Sequence, residues 1–247
     1  KLTNFRIALV AIFAFLTLAP LSAQTDEMIV RCVAFYNLEN VFDTIHDEGK
    51  NDYEYLPDGG MKWTKFKYEE KIKNMAYAIA QLGTDRDPRG AACVGVSEVE
   101  NIGCLHDLCK ELKEKHNRNY VPILLEGPDR RGIDVGFLYN PDMFKPVGQP
   151  KGYELKAHYA DGGVVRSRLQ LWVSGYMLHD NRKIVMDKLH FSVNHWPSRS
   201  GGEESSRATR DTAAMLCKQV ADSIYMKEPR AKIIIMGDLN DDPFNNS

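Results

Sequence analysis

The chain has 247 residues, with 32 Lys and Arg against 34 Asp and Glu, which gives a formal net charge of −2. A hydrophobic fraction of 43% and a charged fraction of 27% are those of a folded globular protein and exclude a disordered or repetitive chain. This mild acidity also excludes the broad basic surface of a dedicated duplex-DNA binder.

The first residues have the pattern of an export signal. Lys1 and Arg6 provide a basic start, and an apolar run at residues 7–21 leads into small and polar residues. The run is shorter than the roughly 20 apolar residues of a membrane-spanning helix. We therefore expect residues 1–23 to be a signal peptide and residues 24–247 to form one exported domain, periplasmic or extracellular. A membrane anchor is the alternative, whereas signal cleavage would leave no stable membrane span.

Seven runs rich in β-branched, aromatic or other apolar residues predict strands. In chain order they are Met28–Tyr36, Ala91–Val99, Tyr120–Leu125, Ile133–Tyr139, Val164–Leu178, Ile184–Val193 and Ile233–Met236. Turn sequences join the third run to the fourth and the fifth to the sixth, which predicts two strand pairs. The last run is apolar throughout, as in a strand buried on both faces.

Apolar residues at helical spacing predict three helices between these strands. The first follows Thr64, a candidate N-cap, and its stripe runs from Ile72 to Leu82. Leu105–Leu112 and Ala213–Ile224 form two further stripes. Helices and strands mixed in this way imply a sheet core with helices packed outside it. The polar and acidic segment Asp43–Gly60 predicts an exposed loop.

Polar residues follow four of the predicted strands, where a rigid sheet can hold reactive groups. Glu98 carries the carboxylate that a hard divalent cation requires, and Glu100 is a rival for that role. Asn37 is a neutral oxygen donor or a donor to phosphate. His195 can donate to a phosphate oxygen or transfer a proton. Taken singly, each is as well explained by a surface, strand-ending or structural role.

Asp238 and Asn240 follow the last apolar strand. Two residues apart in an extended segment, they project to the same side. One can orient or deprotonate a water while the other donates a hydrogen bond to phosphate. A simple turn is the alternative, since Gly, Asp and Asn are common in turns.

Two arginines and one aspartate complete the candidates. Arg199 can position an anion bidentately, or belong to a solvated helix start, and Arg131 is a second candidate for substrate binding. Asp134 lies inside a predicted strand, where Asp is disfavoured. Holding His195 in one tautomer would explain it, and a surface or edge position is the alternative.

Five segments together resemble the endonuclease/exonuclease/phosphatase superfamily, whose members include DNase I, abasic-site endonucleases, inositol polyphosphate 5-phosphatases and bacterial sphingomyelinases. They occur in that family's order and, with the leading signal, look most like secreted Bacteroidetes members. The segments are Phe35-Tyr36-Asn37-Leu38-Glu39-Asn40-Val41-Phe42-Asp43, Gly95-Val96-Ser97-Glu98-Val99-Glu100-Asn101, Asp129-Arg130-Arg131-Gly132-Ile133-Asp134-Val135, Asn194-His195-Trp196-Pro197-Ser198-Arg199 and Gly237-Asp238-Leu239-Asn240-Asp241-Asp242-Pro243.

The resemblance implies an α/β fold, a four-layer sandwich of two mixed β-sheets flanked by helices. Asn37 and Glu98 would match the metal-site residues, with Mg²⁺ the usual ion and Mn²⁺ possible. His195 would match the phosphate-binding histidine, and Asp238 and Asn240 the Gly-Asp-x-Asn pair. The acid that supports that histidine would be matched by Asp134.

The activity that follows is metal-dependent hydrolysis of phosphoester bonds, with a nuclease or phosphodiesterase favoured over a phosphatase. Asp238 would activate water, and Arg131 and Arg199 would bind the substrate. That substrate would be a nucleic acid, a sugar phosphate or a phospholipid headgroup, and no obligate protein partner is indicated. The alternative is a non-catalytic phosphate- or nucleic-acid-binding module, or an inactive fragment.

One departure from the family concerns its terminal Ser-Asp-His motif, which supplies another acidic group and a catalytic histidine. The sequence contains no Ser-Asp-His, and it ends seven residues after Asn240. We therefore expect a C-terminally truncated chain whose fold is incomplete at that end.

Overall fold

The computed structural model describes residues 29–158, 162–180, 185–199, 202–242 and 244, with Ser205 described by its backbone alone. Residues 1–23, to which the signal-peptide prediction applies, lie outside this part. The strands are β1 (Val33–Val41), β2 (Cys93–Val99), β3 (Val121–Leu124), β4 (Asp134–Tyr139), β5 (Phe144–Pro146), β6 (Lys151–Tyr153), β7 (Gln170–Leu178), β8 (Val185–His195) and β9 (Lys232–Asp238). The helices are α1 (Lys65–Gln81), α2 (Ile102–His116) and α3 (Glu203–Lys227), with a short 3-10 helix at Tyr53–Tyr55.

These strands form two mixed sheets. The first has the order β1-β2-β4-β3, in which β1 and β2 are parallel and the other pairs antiparallel. The second has the order β5-β7-β8-β9, with β6 also paired to β7. Within it, only β8 and β9 run parallel. Both predicted strand pairs, β3 with β4 and β7 with β8, are confirmed.

Three apolar clusters separate four layers. Between the sheets, the Phe137 ring lies 5.1 Å from that of Phe191 and 5.8 Å from that of Phe144, measured between centroids. Helices α1 and α2 cover the outer face of the first sheet, and α3 covers that of the second. The predicted fold class is therefore confirmed: two mixed sheets face each other with helices outside.

Close approach of the two sheets depends on Gly95 in β2. A Cβ at this position would lie 2.8 Å from the Met236 sulfur and 3.2 Å from the Val193 methyl groups. Both contacts are tighter than ordinary van der Waals distances, so a side chain here would require Met236 and Val193 to shift.

Helix starts follow from capping residues. The Thr64 side chain accepts a hydrogen bond from the Lys67 amide at 3.5 Å, which confirms the predicted N-cap of α1. Asn101 caps α2 by accepting from the Cys104 amide at 3.0 Å. Such caps satisfy amides that have no partner within the helix. No helix among the described residues is long and apolar enough to cross a bilayer.

Three sequence expectations were wrong in part. Strand β9 is not buried on both faces: it is the last strand of its sheet, and Ile235 is 46% exposed. The predicted strand at Val164–Leu178 begins only at Gln170. The loop at Asp43–Gly60 is not wholly exposed, because Asp52 is buried and accepts from the Asp47 amide at 2.8 Å.

Candidate active site at the ends of two parallel strand pairs

The candidate site lies where the carboxyl ends of two parallel strand pairs meet. Asn37 is on β1 and Glu98 on β2 of the first sheet. His195 ends β8 and is directly opposite Asp238, which ends β9 of the second sheet. Because both pairs are parallel and the sheets face each other, four residues far apart in sequence converge at one edge.

Irregular backbone aims Glu98 into this space. The register of β2 against its neighbours shifts between Ser97 and Val99, and Glu98 has a φ of 62°. A left-handed conformation costs a residue with a Cβ about 1–2 kcal/mol, and a bulge redirects the side chain of the extra residue. The strained backbone at Glu98 therefore coincides with the bulge that redirects its carboxylate.

Gly237 has a steric reason to be glycine. Its φ is 151°, and a Cβ would lie 2.1 Å from the Asn194 carbonyl oxygen, closer than any real contact. Glycine therefore lets β9 approach β8 closely enough to place Asp238 beside His195. The Gly-Asp step of the motif is explained by packing of the backbone.

Asn37 joins the carboxylates carried by the two sheets. Its Nδ2 donates to Glu98 Oε1 at 3.1 Å and to Asp238 Oδ2 at 3.2 Å. Its Oδ1 accepts from the Glu39 amide at 2.8 Å. In this orientation the Asn37 amide nitrogen faces both acids and its oxygen is turned to the Glu39 backbone, while its predicted place among the metal-site residues stays a prediction.

His195 lies beside these acids and is only 5% exposed. Its Nε2 is 3.8 Å from Glu98 Oε1 and 4.0 Å from Asp238 Oδ2. Arg168 Nη2 lies 3.0 Å from Nδ1 and 2.7 Å from Nε2 of the same ring. Burial, followed by the positive charges of Arg168 and Arg131, lowers the pKa of His195 to about 3. The imidazole is therefore neutral near pH 7, with one N–H donor.

Arg168 is the site residue that the sequence did not reveal. The predicted strand that contained it begins two residues later, so the segment before β7 leaves the sheet and carries Arg168 to His195. Arg166, two residues earlier, is exposed. The pattern Arg166-Ser167-Arg168 gave no signal for this, because two residues apart in an extended strand would face the same side.

The structure does not bring Asp134 to His195. Asp134 begins β4 in the first sheet, and its Oδ1 accepts from the Gly127 amide at 3.0 Å. No hydrogen bond joins it to His195 within the part of the chain that the structure describes. Burial is the largest effect on Asp134 and raises its pKa to about 7, despite the opposing bond from Gly127.

We expect Asp134→Asn to stabilise the protein at pH 8. The pKa of Asp134 is higher in the folded state than its unfolded value, so folding binds a proton between about pH 4 and 7 and stability falls as pH rises through that window. The amide keeps an acceptor for Gly127 and has no charge to bury. The expected gain is on the order of 2–4 kcal/mol at pH 8 and much smaller at pH 4.

Urea unfolding at pH 4 and pH 8 measures this difference. The control is Asp58→Asn, since Asp58 is exposed and the substitution removes the same charge. An Asp134→Asn protein that is less stable than the wild type at pH 8 would show that the carboxylate is net favourable where it lies.

The two predicted substrate-binding arginines have different surroundings. Arg131 borders the site, with Nη1 3.4 Å from Asn40 Oδ1. Arg199 is committed elsewhere: Nε donates to the Asn240 carbonyl at 3.0 Å, and Nη2 lies 3.1 Å from a carboxylate oxygen of both Asp241 and Asp242. Arg199 therefore anchors the segment after β9, and its substrate-binding role stays a prediction.

Asn240 is held in a turn beside Asp238. Its amide N–H donates to Asp238 Oδ1 at 3.0 Å, its Nδ2 donates to the Trp196 carbonyl at 2.9 Å, and its φ is 53°. The turn and the functional interpretation of this motif are therefore compatible. One Nδ2 hydrogen is used by Trp196, and the second remains available for a substrate oxygen.

The donor set of the site suits a divalent cation. Single ligand atoms of Glu98, His195 and Asp238 all lie within 4.8 Å of one another. Carboxylate oxygens are the hard ligands that Mg²⁺ prefers. Glu100 is not part of this set, because it is buried beside Asp43 and Cys104 in a separate cluster.

Fold and site together define an α/β sandwich in which acids, an amide, a histidine and arginines converge between two sheets. Residues 32–247 match the model of the endonuclease/exonuclease/phosphatase family. Because the match spans most of the sequence, the chain belongs to this family. No curated protein sequence matches it significantly.

Solved structures support the same fold. A protein of this family from Bacteroides thetaiotaomicron is 16% identical, with a TM-score of 0.51, over 87% of this chain and 65% of its own. A mannosyl-6-phosphatase from the same species is 15% identical, with a TM-score of 0.51, over 87% and 67%. A functionally unknown conserved protein from Enterococcus faecalis is 13% identical, with a TM-score of 0.50, over 87% and 68%. The chain thus spans about two thirds of the length of these structures.

Proposed function

We propose that the protein is a metal-dependent phosphoester hydrolase. The observation that carries this proposal is the pairing of Glu98 and Asp238 through the Asn37 amide, with His195 and Arg168 beside them. Carboxylates can hold a metal and accept a proton, while histidine and arginine bind the oxygens of a phosphoryl group. Family membership supports hydrolysis of phosphoesters in general.

The chemistry assigns a separate task to each residue. Glu98 would hold the divalent cation, proposed to be Mg²⁺, which when bound neutralises charge that develops on the phosphoryl oxygens. Asp238 orients the attacking water and accepts its proton, because its Oδ2 faces the shared space while its Oδ1 is held by Asn240. His195 and Asn240 donate hydrogen bonds to the phosphoryl group, where preorganised donors stabilise the transition state.

We expect EDTA to abolish hydrolysis and Mg²⁺ to restore it. Mg²⁺ should also raise the thermal midpoint of the wild type, since a ligand that binds only the folded state stabilises it. Glu98→Gln should lose this stabilisation by Mg²⁺, whereas Glu114→Gln, at an exposed position on α2, should keep it. Hydrolysis that survives EDTA would remove the metal from the proposal.

The substrates to compare are nucleic acid, sugar phosphates and sphingomyelin. Binding of phosphate without hydrolysis of any of these would favour the non-catalytic module over the enzyme.

Export to the periplasm or the outside of the cell is part of this proposal and depends on residues 1–23. Secretion of a protein carrying this leader, and its loss on deletion of the leader, would test it.

A further inference from the structure

Arg168 is a buried cation with an incomplete set of partners. Its side chain is 9% exposed, and its ion pair is with Asp129, whose Oδ2 lies 3.6 Å from Nη1. That distance is too long for a hydrogen bond. Nε has no hydrogen-bond partner among the described residues, and Nη2 contacts a histidine. Glu98 and Asp238 also act favourably on the Arg168 charge, but neither is in hydrogen-bond contact with it among the described residues. A buried guanidinium nitrogen without a partner calls for an explanation.

The surroundings of Arg168 indicate what would satisfy it. Asp129 is shared, because its Oδ1 accepts from the Arg131 amide at 2.9 Å. The Arg131 guanidinium borders the same space and, like Arg168, lowers the pKa of His195. Two guanidinium groups therefore lie near His195, whose Nε2 is also 3.8 Å from Glu98 Oε1 and 4.0 Å from Asp238 Oδ2. This arrangement matches an anion bound between the arginines and a cation held by the acids.

We infer that Arg168, with Arg131, binds the third non-bridging oxygen of a phosphomonoester, so that monoesters are the preferred substrates. The inference rests on the proposed function and deepens it. A monoester phosphoryl group carries nearly two negative charges near pH 7 and three non-bridging oxygens. A diester carries one charge and two such oxygens.

The donors already assigned account for two of these oxygens. A cation held by Glu98 and hydrogen bonds from His195 and Asn240 would serve the two non-bridging oxygens that both ester classes share. Arg168 and Arg131 add positive charge beyond what those two oxygens require. The third charged oxygen of a monoester would pair with it. In a diester, the third position is an ester oxygen that carries carbon and no full charge, which leaves Arg168 unsatisfied.

Two measurements on the protein with Mg²⁺ test the inference. The first is binding of inorganic phosphate by isothermal titration calorimetry. The second is kcat/KM for p-nitrophenyl phosphate and for bis(p-nitrophenyl) phosphate. The variants are Arg168→Gln, Arg168→Lys and the control Arg166→Gln, which removes an exposed charge two residues away.

We expect the wild type to prefer the monoester. Arg168→Gln should weaken phosphate binding and lower monoester kcat/KM, each by about 10- to 100-fold, the range of a charged hydrogen bond. Diester kcat/KM should change about threefold or less, and Arg168→Lys should fall between the wild type and Arg168→Gln because the fork geometry is lost. Arg166→Gln should resemble the wild type.

Three results would overturn the inference: wild-type preference for the diester, equal losses on both esters, or phosphate affinity that is indifferent to Arg168. Equal losses would mean that Arg168 acts by supporting His195 or the fold, and the charge-retaining Arg168→Lys guards against simple unfolding. Hydrolysis with no effect of Arg168 on phosphate affinity would refute this inference alone. Arg168-dependent phosphate binding without hydrolysis of either ester would refute the hydrolase and retain the anion site.

Discussion

Asp238→Asn is expected to lower turnover by at least about two orders of magnitude, the usual contribution of a positioned general base. The substitution keeps the shape of the side chain and the acceptor that Asn240 uses, but it removes the group that accepts the proton of water. The new amide NH2 takes the place of Oδ2, so the hydrogen bond from Asn37 is lost and Asn37 keeps Glu98 as its acid partner. The measurement is kcat on the phosphoester that the wild type hydrolyses best.

A comparison of metal binding separates this role from metal ligation. Asp238→Asn should retain more of the wild-type Mg²⁺ affinity than Glu98→Gln does. In Asp238→Asn itself, the fold-loss in kcat should exceed the fold-loss in Mg²⁺ affinity. Asp242→Asn is the matched control, because it removes an exposed carboxylate four residues away. Turnover of Asp238→Asn close to that of the wild type would refute water activation by Asp238.

His195→Ala is the second large effect, with turnover expected to fall by at least about 100-fold, as for loss of one preorganised donor in an oxyanion-type site. His195→Gln, which keeps an N–H donor, should recover part of the loss. Because the pKa of His195 is lowered to about 3, the wild-type rate should show no ionisation of this group between pH 5 and 8. The pH profiles of the wild type and of His195→Gln should therefore have the same shape.

His106→Ala controls for this experiment, since His106 is exposed on α2. A wild-type profile that contains an ionisation near pH 6, absent from His195→Gln, would show that His195 is a proton-transferring group in the working enzyme. That outcome would replace its proposed role as a neutral donor.

Much of the layered fold could be predicted because it depends on local patterns. The 3.6-residue stripes identified the helices, and turn sequences between apolar runs identified two strand pairs. The position of β9 could not be predicted, since an apolar run such as Ile233–Met236 is the same in a central strand and at an edge. Which strand lies beside it is a tertiary property. The short strands β5 and β6 carry too few residues to show a period.

Some of the site residues could likewise be predicted from local patterns, and others could not. Asn37, Glu98, His195 and Asp238 could be predicted as a group, because each follows an apolar strand and the parallel strands end together. Arg168 could not, because its position depends on where β7 begins. Neither could the orientation of Asn37 or the commitment of Arg199, since both are set by partners such as the Glu39 amide and Asp241 that no spacing in the sequence indicates.

Gly95 has a consequence beyond packing. One half of the site is carried by the first sheet and the other half by the second, and the Asn37–Asp238 hydrogen bond crosses between them. Gly95, which has no side chain, lies where the two sheets pack together. It is only two residues before Ser97, the residue paired with Asn37. The geometry of the candidate site therefore depends on the packing between the two sheets, and a methyl group at residue 95 would disturb that packing without touching the site residues.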